Sequence, residues 1–313
     1  MSQDRVLSSL HYHLSCVGID AHINNDAVTE IMLNPDGNLW VEEFGKPCYI
    51  SHQVDNETAQ NLINSIAASM NTIVNNQHPI LECELLTDGS RFEGLVPPIV
   101  QNVSFTLRKK AIRVFTLEDY LDNGIMTLEH YNYICQAISE HRNILVIGGT
   151  ASGKTTLVNA ILAKMAELFP NERHVVIEDT NELQPTANNC VIFRTNSIAN
   201  VGMKELLRAT LRYRPDRIIV GEVRGGEALD LLKAWNTGHS GVATVHANSA
   251  PLGLDRIEQC IEEVVQRANQ RMIASSIHTL IYIEKTPEGR RVKEISEVTG
   301  FDSITSQYLT QPI

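Results

Sequence analysis

Nine consecutive residues, Gly148-Gly149-Thr150-Ala151-Ser152-Gly153-Lys154-Thr155-Thr156, carry the spacing G-x-x-x-x-G-K-[ST]. A loop of this kind suits a triphosphate. The glycines let the backbone curl so that successive N–H groups point at phosphate oxygens, Lys154 reaches the β/γ oxygens, and the Thr155 hydroxyl can ligate Mg²⁺. Gly149, Thr150, Ala151, Ser152, Gly153, Lys154, Thr155 and Thr156 are the candidate nucleotide-binding residues, with Thr155 on the metal side. Before them, Asn143 to Ile147 read as an apolar strand. A helix is predicted after them, over 154–169, and its N-terminus adds partial positive charge beneath the same anion.

Strands alternate with helices after about residue 127. Strand-like runs cover 143–147, 174–178, 191–194, 217–221, 242–245 and 280–283, which predicts a mostly parallel sheet covered on both faces. Active groups in such sheets lie just beyond the carboxyl ends of the strands. Three polar clusters meet that condition. Glu178-Asp179-Thr180-Asn181-Glu182 ends one strand, so its carboxylates face the phosphates unless they form a solvated acidic loop. The run Arg217-Ile218-Ile219-Val220 occupies the Walker-B slot, where Gly221-Glu222 replaces the usual Asp. Glu222 could hold Mg²⁺ through a water or polarise the attacking water; the bland alternative is a salt bridge to Arg224 or Arg217. His239 and His246 bracket a further strand. His246 could sense the γ-phosphate by a hydrogen bond or could be a packing residue, and no further ligands at zinc spacing accompany it.

The first half reads as α+β: strands at 30–33 and 39–42 around the turn Asn34-Pro35-Asp36-Gly37, a helix over 56–71, then strands near 82–86, 91–96 and 103–108. Basic residues cluster at Arg108, Lys109, Lys110 and Arg113. The predicted organisation is an α+β N-terminal domain over 1–112, a linker over 113–126 and an α/β domain carrying the phosphate loop over 127–313.

Composition bounds the reading. A chain of 313 residues with 43% hydrophobic content can bury the cores of two domains. The net charge of −11 is shared by both halves, so neither is a basic grip for nucleic acid, and direct nucleic-acid binding is not expected. No apolar run reaches the length of a membrane span, and no signal-peptide core is visible. Six dispersed cysteines without a C-x-x-C pair argue for a reducing cytoplasm over a disulfide framework.

Taken in order, the loop 148–156, the acidic box 177–183, the segment 214–224 and the histidine box 238–249 resemble the traffic ATPases of type II and type IV secretion systems. The first half agrees through Asp88-Gly89-Ser90-Arg91-Phe92-Glu93-Gly94-Leu95-Val96-Pro97-Pro98 and Phe105-Thr106-Leu107-Arg108-Lys109. The resemblance implies a RecA-like P-loop domain that uses ATP and Mg²⁺, and a smaller N-terminal domain that closes over nucleotide. It further implies a homo-hexameric ring docked on inner-membrane secretion or pilus subunits from the cytoplasmic side, with room for peripheral membrane association. Arg91 and Arg108 match the family's arginines that reach the phosphates. Glu178 is the favoured base by analogy with RecA-like ATPases, with Glu222 on the magnesium side and His246 beside them. The absence of a long zinc-binding insertion and of an additional N-terminal domain, with a short tail beyond Ile283, favours the smaller type IV form. A pilus retraction or assembly ATPase has the same chemistry. A non-hydrolysing regulatory module has no need of an intact Lys154, Thr155, Glu178 and Glu222, and a helicase fits the acidic balance poorly.

Overall fold

The computed structural model describes residues 3–43, 46–110, 114–196, 199–287 and 289–313. The chain divides into two compact units, Met1–Ile112 and Arg113–Ile313. Arg113, the first residue of the expected linker, lies outside the described residues.

The first unit begins with α1 (Gln3–Val17) and α2 (Asp20–Ile23) and continues through β1 (Val28–Leu33), β2 (Asn38–Glu43), β3 (Tyr49–Gln53), α3 (Asn56–Ser69), β4 (Ile80–Glu84), β5 (Arg91–Leu95) and β6 (Ser104–Arg108). The strands form one antiparallel sheet in the order β3-β2-β1-β6-β5-β4. Its β1–β2 hairpin turns at Gly37, whose φ of +84° only glycine adopts without strain. Leu10, Leu14 and Val17 of α1 and Leu62, Ile63 and Ile66 of α3 share a core with Ile31, Leu39, Phe92 and Leu107 from one face of the sheet. Asp55 caps α3 by accepting from Thr58 N at 2.9 Å.

The opposite face carries a charged row. Strand register sets Glu84, Arg91, Arg108, Glu30 and Glu42 opposite one another across β4, β5, β6, β1 and β2. Directly opposed side chains share a face, so the two arginines stand side by side. Arg91 also pairs with Glu82 at 3.1 Å.

The second unit holds α4 (Leu117–Asp122), α5 (Leu128–Ser139), β7 (Ile144–Ile147), α6 (Lys154–Leu168), β8 (Arg173–Glu178), β9 (Asn189–Arg194), α7 (Met203–Thr210), β10 (Arg217–Val223), α8 (Glu227–Trp235), β11 (Ser240–Val245), α9 (Ala250–Glu262), α10 (Gln270–Ser276), β12 (Thr279–Thr286), β13 (Gly289–Asp302) and β14 (Gln307–Pro312). The sheet order is β14-β13-β12-β7-β11-β10-β8-β9. From β12 to β9 every pair is parallel, and β13 and β14 add antiparallel strands at one edge. β7 is buried on both faces. Leu145 and Ile147 pack toward the core shared with α8, α9 and α10, while Ile144 and Val146 pack toward α4, α5 and α6.

Two stretches depart from the expectations. Much of 113–126, read as a linker, belongs to the packed second unit. Thr116 and Asp119 form a capping box that starts α4, and Leu117, Tyr120 and Met126 are buried. Lys164 of α6 pins this helix by pairing with Glu118 at 2.6 Å. Beyond Ile283, read from sequence only as a short tail, the chain completes β12 and adds β13 and β14 to the sheet. β14 and β3 are edge strands in which no residue is buried, so the apolar positions that mark a core strand in sequence are missing.

At the amino ends of the strands, Arg217 is fully buried. It donates to Glu172 at 2.6 Å, Ser240 Oγ at 3.0 Å and the Ile138 carbonyl at 3.2 Å, and it lies over Phe169. This satisfied charge fixes the floor of the sheet, well apart in topology from the carboxyl ends where the motifs gather.

Candidate active site

The loop between β7 and α6 has the curled backbone that its composition requires. Ala151 and Gly153 adopt φ of +57° and +99°, and Gly153 is the N-cap of α6. A side chain at Gly148 would meet the Ile283 carbonyl at 2.4 Å and Ser152 Oγ at 2.5 Å, so only glycine lets the loop lie against β12. Thr150 and Ala151 are exposed at the tip, Gly149, Gly153 and Thr156 are half-buried, and Ser152 is buried beneath.

Lys154 is 7% exposed, and its Nζ donates to the carbonyls of Gly148 at 2.8 Å and Gly149 at 2.9 Å. Burial lowers its pKa, and the charges of Glu222 and Glu182 oppose that shift. Beside it stands His246, at the end of β11, with ring nitrogens 3.3–3.4 Å from Nζ. Burial and the Lys154 charge hold the imidazole below its usual range, so it is neutral at pH 7. Its Nε2 lies 2.8 Å from Glu222 Oε1. The tautomer protonated on Nε2 donates to Glu222 and leaves Nδ1 to accept from Lys154.

Glu222 reaches this position through a bulge. Val220 pairs with Ala243 but Val223 with Val245, so β10 spends one more residue than β11 over the same length. Bulges re-aim side chains, and here the extra residue falls at Gly221-Glu222. Gly221 also permits close approach to β8, since a Cβ there would lie 3.1 Å from that of Glu178. The other oxygen of Glu222 pairs with Arg224 at 2.6 Å. The sequence offered Arg224 or Arg217 as its partner; Arg217 is committed to Glu172 instead.

The acidic box divides its labour. Glu178 is 2% exposed; its Oε2 accepts from the backbone N–H groups of Glu182 at 3.0 Å and Leu183 at 2.9 Å, while Oε1 lies 3.7 Å from Arg194 Nε. Asn159 of α6 staples the same turn, donating to the Glu182 carbonyl at 3.2 Å and accepting from Gln184 N at 2.8 Å. The turn so fixed presents Glu182, whose Oε2 accepts from Thr155 Oγ1 at 3.1 Å. Sequence reading placed Glu182 in the box without a role. The only signal was its position four residues beyond Glu178, and a turn had to form before that spacing meant proximity.

His246 thus stands between Lys154 and Glu222 and touches both, and Thr155 meets Glu182. His239 is not part of this group: it sits before β11, near the Ala234 carbonyl. Arg91 and Arg108 are brought together in the first unit. For Mg²⁺, Thr155 Oγ1 and the adjacent Glu182 carboxylate are the hard oxygen donors it prefers, whereas Glu222 is engaged by a cation and an imidazole. No group of three or more His, Cys, Asp or Glu side chains that could hold a metal ion occurs among the described residues.

The profile of the family described as "Type II/IV secretion system protein" matches residues 17–288. The chain belongs to that family. It is 44% identical over 301 residues to a probable conjugal transfer protein TrbB of Sinorhizobium fredii, covering 95% of this chain and 91% of that one. It is 43% identical to a conjugal transfer protein TrbB of Rhizobium radiobacter, covering 91% and 87%. The fold matches that of the Yersinia pseudotuberculosis ATPase DotB with a TM-score of 0.65 at 17% identity, over 91% of this chain and 78% of the other. This secretion-family member carries the G-x-x-x-x-G-K-[ST] loop between β7 and α6.

Proposed function

We propose that this protein is the ATP-hydrolysing motor of a conjugative type IV secretion machine. It works as a homo-hexameric ring at the cytoplasmic face of the inner membrane and couples hydrolysis to pilus biogenesis or substrate transfer. The observation that carries the reading is the convergence of Lys154, His246 and Glu222 on one side of the phosphate loop. The extensive similarity to two conjugal transfer proteins sets the machine. No described helix is long and apolar enough to cross a membrane, so attachment through partner subunits or at the membrane surface is the arrangement proposed.

In this mechanism the loop N–H groups and the α6 N-terminus cradle the phosphates, and Lys154 exchanges its carbonyl partners for β/γ oxygens. Mg²⁺, when bound, neutralises phosphate charge from the side of Thr155 and Glu182. Glu222 takes a proton from the attacking water, oriented by neutral His246. Glu178 was the base expected from the sequence; its carboxylate holds the turn that presents Glu182, and the base role passes to Glu222 in this proposal. Arg91 and Arg108, placed side by side, supply positive charge for the loose transition state when the N-terminal domain closes.

Sizing the purified protein with and without a non-hydrolysable ATP analogue, together with phosphate release, tests the motor. A ring that turns over ATP is expected; a ring that binds nucleotide without hydrolysing it overturns the motor in favour of a regulatory module. For the clamp, Arg91→Ala and Arg108→Ala are each expected to cut turnover by at least about tenfold without unfolding the protein. Hydrogen exchange should show greater protection across residues 85–115 with the analogue. Unchanged protection and wild-type turnover in both variants would reduce the first half to a docking module.

A further inference from the structure

The C-terminal hairpin brings a cation to the phosphate loop from the flank opposite the carboxylates. β12 lies beside β7 in the sheet and β13 beside β12. Arg290 is the second residue of β13, and its side chain rests on Gly153. A Cβ built on that glycine would lie 2.7 Å from Arg290 Cδ and 3.1 Å from Nε. Gly153 is therefore required twice, for its positive φ and for this approach. The hairpin is seated firmly there, because the Ile283 carbonyl abuts Gly148 and Val292 N donates to the Ile125 carbonyl at 2.8 Å. The Arg290 charge is also felt at the buried Tyr120 of α4: burial pushes that phenol's pKa up, and the Arg290 charge pulls against it.

Position decides what this cation could hold. His246 and Glu222 come from β11 and β10, and Glu182 follows β8, all on one side of β7. The phosphate that is cleaved must meet those groups. A nucleotide threaded over the loop then directs its α-phosphate and ribose to the other side, toward β12 and β13. Lys154 serves the terminal phosphates and the loop N–H groups cradle the phosphate chain, and no side chain of the four recognised motifs is assigned to the ribose end.

We propose that Arg290 is a nucleotide-binding residue whose guanidinium holds the α-phosphate and ribose end of the substrate. This rests on the reading of residues 148–156 as the triphosphate loop. A planar fork is suited to adjacent phosphate and hydroxyl oxygens, and its stem is already ordered by Gly153, so little conformational freedom is lost on binding. The contact is made equally to ATP and ADP, which separates it from groups that read the γ-phosphate.

The test is nucleotide affinity in Arg290→Met, which keeps the stem on Gly153 and removes the charge. Fluorescent ADP and a non-hydrolysable ATP analogue should each bind about tenfold more weakly, the size expected for one charge-assisted contact. The urea midpoint of the nucleotide-free protein should not move, and the loss should appear as a raised ATP concentration for half-maximal rate, as expected for loss of uniform binding. Arg290→Lys, which keeps charge but not the fork, should recover part of the loss for both nucleotides and carries the test if Arg290→Met does not fold. Wild-type affinity in the folded variants, or a loss confined to the triphosphate, would overturn the assignment. Lys154→Ala run alongside separates the two levels: normal hydrolysis there would remove the loop assignment and this inference together. An inactive Lys154→Ala beside Arg290 variants of wild-type affinity would remove this inference alone.

Discussion

Lys154→Ala is expected to lower the rate of ATP hydrolysis by about a hundred- to a thousandfold or more, the loss seen when one preorganised electrostatic partner is removed from a transition state. The ammonium is buried between the carbonyls of Gly148 and Gly149 and the His246 ring, so it stands ready where negative charge develops. The fold does not depend on it. β7 and α6 are held by Ile144–Ile147, Leu157, Val158 and Ile161, none of which needs the lysine. The half-buried Gly149 carbonyl can turn to water, while the buried Gly148 carbonyl loses its partner, a cost of about 1–3 kcal/mol that leaves the fold in place. Phosphate release at saturating ATP and a urea unfolding curve measure the two halves of this expectation. Near-normal hydrolysis by the folded variant would remove the phosphate-loop assignment.

The second large effect separates three carboxylates that are close in space but differently engaged. Glu222→Gln should bind ATP with near wild-type affinity and turn it over about a hundredfold more slowly or worse, because the amide keeps the shape and loses the proton acceptor. Glu182→Gln should raise the Mg²⁺ concentration needed for half-maximal activity, since the oxygen beside Thr155 Oγ1 loses its charge. Glu178→Gln should be the mildest of the three in turnover. Its amide oxygen can still accept from Glu182 N and Leu183 N, although the amide group would then face Arg194 with a donor. Measuring nucleotide affinity, metal dependence and single-turnover rate for each variant ranks them. An inactive Glu178→Gln that still binds ATP, beside an active Glu222→Gln, would return the base to Glu178.

Sequence alone determined the phosphate loop, because its chemistry is mostly backbone chemistry: glycine spacing dictates the curl, and Lys154 and Thr155 follow at fixed offsets. It also determined the parallel sheet, since strands buried on both faces must be nearly continuous apolar runs, and it set Glu222 and His246 at the carboxyl ends of such runs. What it left undecided was long-range contact. The register that sets Arg91 beside Arg108 depends on how β5 and β6 pair across the connection 96–103, and the bulge that aims Glu222 is a mismatch with β11 that no single strand reveals. Glu178 and Glu182 looked equivalent as members of one acidic box. Only the folded turn, with its N–H groups on Glu178 and its Asn159 staple, made one a support and the other a neighbour of Thr155. Arg290 was invisible for the same reason: its place at Gly153 follows from β13 lying next to β12, and β12 next to β7, an order fixed by tertiary packing across more than a hundred residues of chain and not by any local pattern.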